Sequence, residues 1–156
     1  MTRHPRWIRR LLSDEHLDAI ARAIQSAERR TSGEIRVHLE RRVPRRRWRE
    51  PADPLARARD VFARLGMHRT RERNSVLIYL AVRDRRLAIV GDEGIHARVG
   101  DDHWASVRDL MVEQLRSQRP REALLAAIAQ TADVLQQHFP RRPDDTDELS
   151  DRVSTA

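Results

Sequence analysis

Seven consecutive residues, Val76 to Val82 (VLIYLAV), carry no charge in a chain where 35% of residues are charged. Such a run is too short for an ordinary helix and too apolar for a surface strand. It fits a strand covered on both faces, at the centre of a sheet with helices above and below. Arg83-Asp84-Arg85-Arg86 makes a charged turn, and Leu87 to Val90 returns antiparallel. Beyond this hairpin, Gly91 to Asp102 (GDEGIHARVGDD) reads as a Gly- and Asp-rich loop, with a helix starting near Trp104.

The remaining elements are arranged around that hairpin. Ser13 is a helix cap, with Asp14 and Glu15 in the first turn, where the helix dipole favours anions. Leu17, Ile20, Ala21, Ile24 and Ala27 follow at helical spacing, and Thr31-Ser32-Gly33 stops the helix. Glu34 to Glu40 (EIRVHLE) alternates, with Ile35, Val37 and Leu39 on one face, as in a half-buried strand. Pro44 and the dense charge of residues 41–51 (RRVPRRRWREP) predict a mobile basic loop. Asp53-Pro54 opens a second helix that ends at Gly66. After Trp104, the apolar residues Val107, Leu110, Met111 and Leu115 make a helix stripe. Arg119-Pro120 breaks it, and a last helix runs from about Arg121 to Phe139.

The predicted order is α-β-α-β-β-α-α. The first two strands, joined through a helix, must be parallel, and the hairpin adds an antiparallel partner. The expected fold is an α/β sandwich with a small mixed sheet, in three parts: an N-terminal extension (1–12), one domain (13–140) and a flexible acidic tail (141–156). Ligands of such sheets favour the crevice beyond the carboxyl ends of the strands.

A chain of 156 residues can bury roughly 70% of its unfolded surface without a disulfide or structural metal. Cysteine is absent, which excludes thiolate zinc ligands and a Cys nucleophile. No apolar run reaches the roughly 20 residues of a membrane helix, and the basic N-terminus is too short in apolar residues for a signal peptide. A cytoplasmic monomer is expected. All 31 basic residues are Arg, giving a net charge of +7 and a pI near 11.3. Complete replacement of Lys by Arg reads as compositional bias or heat adaptation, and carries little weight for nucleic acid.

Several segments, in order, carry a family resemblance: TSGEIRVH (31–38), LGMHRTRERNSVLIYLAVRDRR (65–86), GDEGIHARVGDDHW (91–104), and HFP with the acidic DDTDEL (138–149). Over about residues 13–150 the chain resembles the TPM domain, the phosphatase-like domain of photosystem II repair and related bacterial proteins. It looks like the short, soluble, single-domain branch. The resemblance implies a Rossmann-like three-layer α/β/α sandwich, binding of a divalent metal and, for some members, acid phosphatase activity. Arg73 stands where the family has an acidic residue, and Ser75 stands for its Gly. His96 takes a Glu position, while Asp101 matches the acidic residue further on.

Asp92, Glu93, Asp101 and Asp102, with Asn74, form the candidate site for a hard cation, Ca²⁺ or Mg²⁺, which prefers oxygen ligands. The competing reading makes Asp92 a turn residue and Asp101 or Asp102 a helix cap. Glu34 reads as half of a strand-end ion pair. Asp92, just past a strand's carboxyl end, is the nearest candidate for a phosphatase nucleophile, but no catalytic motif accompanies it. Arg45, Arg46, Arg47 and Trp48, in the run 41–49, form a candidate anion-binding loop. A peripheral anionic membrane surface is one partner it suits, with Trp7 and Trp48 as anchors; nucleic acid is less favoured, since no nucleic-acid fold accompanies the loop. The expected function is a non-catalytic domain that binds an unidentified protein partner, with weak cation binding at 91–102. A metal-dependent acid phosphatase is the rival.

Overall fold

The computed structural model describes residues 4–45, 47–143 and 153–156. Its elements are α1 (Arg6–Arg9), α2 (Asp14–Glu28), β1 (Glu34–Glu40), α3 (Pro54–Arg64), β2 (Ser75–Ala81), β3 (Arg86–Gly91), α4 (Glu93–Arg116), α5 (Pro120–His138) and β4 (Ser154–Thr155), with a 3-10 turn at Met67–Arg69. The strands form one mixed sheet in the order β3-β2-β1-β4. β1 and β2 run parallel, with Glu34 beside Ser75 and Glu40 beside Ala81; β3 returns antiparallel to β2. The predicted crossover and hairpin are both present.

β2 is buried along its whole length because each of its faces has its own cover. Val76, Ile78 and Leu80 join Ile35, Val37 and Leu39 in a large core under α2, α4 and α5. Leu77, Tyr79 and Ala81 face the other way, into a smaller core with Ala58, Val61 and Phe62 of α3. The result is a three-layer α/β/α sandwich. The helix-start signals at Ser13 and Asp53 act as read: Ser13 Oγ accepts from His16 N at 3.1 Å, and Asp53 Oδ1 accepts from Leu55 N and Ala56 N. Among the described residues no helix is long and apolar enough to cross a membrane.

One segment departs from the sequence reading, and the two ends of the chain add contacts to the body. The expected loop at 91–102 is mostly helix, because Asp92 caps α4 ten residues earlier than predicted. Gly100, at φ 71° and ψ −178°, interrupts α4 with a kink that a side chain would strain. The N-terminal extension is part of the body: Ile8 and Leu12 lie in the large core, with exposures of 1% and 0%. The expected flexible tail is tied at both of its described ends. Arg141 N donates to Arg30 O at 3.3 Å, and Ser154–Thr155 pair in parallel with His38–Leu39 of β1. The acidic residues 144–151 of that tail lie outside the described residues.

Candidate functional site

The strand directions divide the polar chemistry between two ends of the sheet. Asp92 follows the carboxyl end of β3, but β3 is antiparallel to its neighbours. Asp92 therefore sits, as read, just past the carboxyl end of β3, which is the amino end of β1 and β2 and away from the crevice beyond their carboxyl ends. Its amide donates to Ser75 O at 2.9 Å, and its Oδ1 accepts from Glu93 N at 2.8 Å. Gly94 N donates to Arg73 O at 2.7 Å, so the first turn of α4 is stitched onto the segment entering β2.

At this end Arg73 is the central cation. Its Nε lies 3.5 Å from Asp92 Oδ2 and its Nη2 lies 3.6 Å from Glu93 Oε2. The Asp92 side chain is 5% exposed and that of Glu93 85%. Asn74 is buried beside them; its Nδ2 donates to Ser32 Oγ at 3.3 Å. Asn74 Oδ1 and Asp92 Oδ2 are buried and accept no hydrogen bond from the described residues. Glu34 is also buried here, at the start of β1.

Asp101 and Asp102 do not join this group. They are exposed on α4, nine and ten residues past Asp92 and beyond the Gly100 kink. Asp101 instead lies 3.5 Å from His96 across the kink. Among the described residues, no three His, Asp or Glu side chains converge as metal ligands.

The basic segment after β1 is irregular. Arg45 Nη1 donates to Trp48 O at 3.4 Å, Arg47 lies 4.0 Å from Glu50, and Arg46 is outside the described residues. Trp48 is 78% exposed, with the Arg49 guanidinium 5.0 Å from its ring centre. Trp7, expected as a second surface anchor, is partly buried against the large core.

At the carboxyl ends of β1 and β2 lies a buried polar network that the sequence reading missed. Glu40 accepts from Arg57 Nε at 3.0 and 3.1 Å, from Arg57 Nη2, and from Tyr79 Oη at 2.7 Å. His38 Nε2 faces the same carboxylate at 3.4 Å, and its ring stacks on Tyr79 with centroids 6.1 Å apart. On its far side His38 Nδ1 meets Ser154 Oγ at 2.7 Å. Ser154 Oγ also lies 3.2 Å from Val37 O, which ties it to β1 a second time. Burial alone would raise the Glu40 pKa, but hydrogen bonds from His38, Arg57 and Tyr79 and the Arg57 charge outweigh it and hold it at about 2. Tyr79 is pushed well above the usual phenol range by burial and by the adjacent carboxylate.

A signal for this network was present. If β2 is covered on both faces, the α3 layer must also cover the polar face of β1. His38 and Glu40 were then bound to be buried and to need partners from α3.

The layers and strand order define an α/β/α sandwich with one antiparallel edge strand. The TPM domain matches residues 9–134, and the chain belongs to that family. It is similar to the BA42 protein of the psychrophilic bacterium Bizionia argentinensis, solved by NMR. The two are 39% identical, the match covers 93% of this chain and 95% of that one, and the TM-score is 0.81. The N-terminal domain of a P. gingivalis protein shares the fold at 19% identity, over 85% of this chain and 83% of that one, with a TM-score of 0.65. No curated protein matches.

Proposed function

We propose that this TPM domain is a binding module rather than a catalyst, and that its amino-end oxygens take a divalent cation weakly because Arg73 competes for them. The observation that carries this reading is the Arg73 guanidinium, within 3.5 and 3.6 Å of Asp92 and Glu93. A hard cation wants six to eight oxygens. Asp92 Oδ2 and Asn74 Oδ1 are buried acceptors without hydrogen-bond donors, and so fit that demand. Glu93 is the third oxygen donor in reach of the same guanidinium. Asp101 and Asp102, expected as further ligands, stand too far along α4. A bound cation would supply local positive charge, a role Arg73 already fills in part. Asp92 is also committed as the cap of α4, which ties down one oxygen that a nucleophile would need free.

Titration with Ca²⁺ and Mg²⁺, followed by NMR, tests this. The native protein is expected to show millimolar binding, with shifts confined to residues 72–75 and 91–96. Arg73→Gln is expected to tighten Ca²⁺ binding about tenfold, the effect of removing roughly 1.4 kcal/mol of competition. Absence of shifts in both proteins would remove the cation reading. Phosphatase turnover that disappears in an Asp92→Ala protein would restore the catalytic rival.

A further inference from the structure

An open cavity of about 820 Å³ runs along α3 on the face opposite the large core, from the cap residue Asp53 to Arg64 in the last turn. It is independent of the amino-end oxygens and lies on the side of the sheet that carries Glu40 and Arg57. Four guanidinium groups line it, from Arg45, Arg57, Arg64 and Arg86, alongside three acids, Glu50, Asp53 and Asp60. The lining is thus close to charge balance, but each acid has a local contact of its own. Asp53 Oδ1 caps α3 through two backbone amides. Glu50 stands opposite Arg47 at 4.0 Å. Asp60 adds to the field on Arg57, whose own charge is answered by Glu40.

Arg45, Arg64 and Arg86 have no carboxylate within 4.0 Å among the described residues. Among the described residues Arg45 donates to Trp48 O and Arg86 to Ala52 O, each at 3.4 Å. They come from three separate segments: the stretch after β1, the end of α3 and the start of β3. Chain composition explains why arginines are common. What sets these three apart is that separate segments bring them to one cavity. The volume falls in the range of small-ligand sites, and α3 spans about 16 Å, so the cations are spread along a length rather than gathered at a point. Guanidinium forks match the oxygens of phosphate and carboxylate groups in pairs.

We infer that this cavity binds a small multivalent anion of about the size of a di- or triphosphate, held between Arg45, Arg64 and Arg86. Tripolyphosphate, citrate and inorganic phosphate are the probes, at one fixed ionic strength because exposed charges are screened by salt. Tripolyphosphate is expected to shift amides of residues 44–64 and 85–87, and to bind more tightly than inorganic phosphate. Arg64→Gln and Arg86→Gln are expected to weaken it about tenfold each, as loss of one charge-assisted bond should. Arg22→Gln, an exposed change on α2, is the control and should bind as the native protein does. Citrate binding as well as tripolyphosphate marks recognition of charge alone; weaker citrate binding marks phosphate geometry, and both support the site. Shifts spread over arginines throughout the chain, or equal affinities in Arg64→Gln, Arg86→Gln and the native protein, would overturn it. Both arginines are solvent-facing, so thermal melts of the variants should match the native curve and separate lost binding from lost fold.

Discussion

The Gly94→Ala protein is expected to lose about 3 kcal/mol of stability, at the upper end of what overpacking usually costs. An added Cβ would lie 2.3 Å from Glu72 O and 2.6 Å from Arg73 O. Both are backbone atoms, so no side chain can rotate away to make room. The crowding has a structural purpose: Gly94 N donates to Arg73 O at 2.7 Å, and with the Asp92 to Ser75 bond this fixes the first turn of α4 against the entry to β2. A methyl group there must either break that pairing or push Arg73 outward, away from Asp92. Urea denaturation measures the effect through its midpoint, with the slope unchanged if the denatured state is unaffected. A loss below about 1 kcal/mol would mean that the 72–73 backbone yields and the contact is not tight in solution.

Glu40→Gln is expected to cost more, about 3–5 kcal/mol, the range for breaking a buried ion pair by removing one partner. Gln keeps the size but not the charge, so the Arg57 guanidinium, 14% exposed, loses its counter-ion. The same residue sets an acid limit on the fold. The Glu40 carboxyl lies near 2 in the folded protein against its usual 4.5. A depressed folded value means the unfolded chain takes up the proton first. The stabilisation is therefore complete above about pH 4.5 and is lost as pH falls toward 2. Over that window the native protein should lose about 3 kcal/mol through this group alone. Stability of the Glu40→Gln protein should lack that part of the decline. Parallel acid titration curves for the two proteins would show that Glu40 is not the group responsible.

The fold could be read from the chain because its strongest signals were local. Val76–Val82, the alternation of Glu34–Glu40 and the caps at Ser13 and Asp53 each mark an element without reference to distant residues. The strand order from β3 through β1 followed from those elements and the crossover rule. β4 did not, because a two-residue strand beside β1 leaves no periodicity to detect. The candidate site was harder for a related reason. Asp92, Glu93, Asp101 and Asp102 are close in sequence, and a loop would have gathered them. A helix spreads them out, and Asp92 with Glu93 was itself a helix-start signal that the glycines obscured. Arg73 was noticed as a departure from the family pattern, but only the structure shows its guanidinium facing the carboxylates. The His38, Glu40, Arg57, Tyr79 and Ser154 network joins four segments, β1, α3, β2 and β4, and no spacing rule names its partners.

The kink at Gly100 has a mechanical consequence. The residues of α4 before it, beginning at the Asp92 cap, are stitched to the entry of β2 and enter the large core through Ile95, while those after it enter the same core through Trp104, Val107 and Met111. A helix with its hydrogen-bond ladder interrupted is a jointed rod, not a stiff lever. Each half of α4 therefore has its own anchor in the core, Ile95 before the joint and Trp104 after it. The turn that carries Asp92 and Glu93 is positioned by Ile95 and the entry to β2, and the direction of the longer half of the helix is free to differ from it.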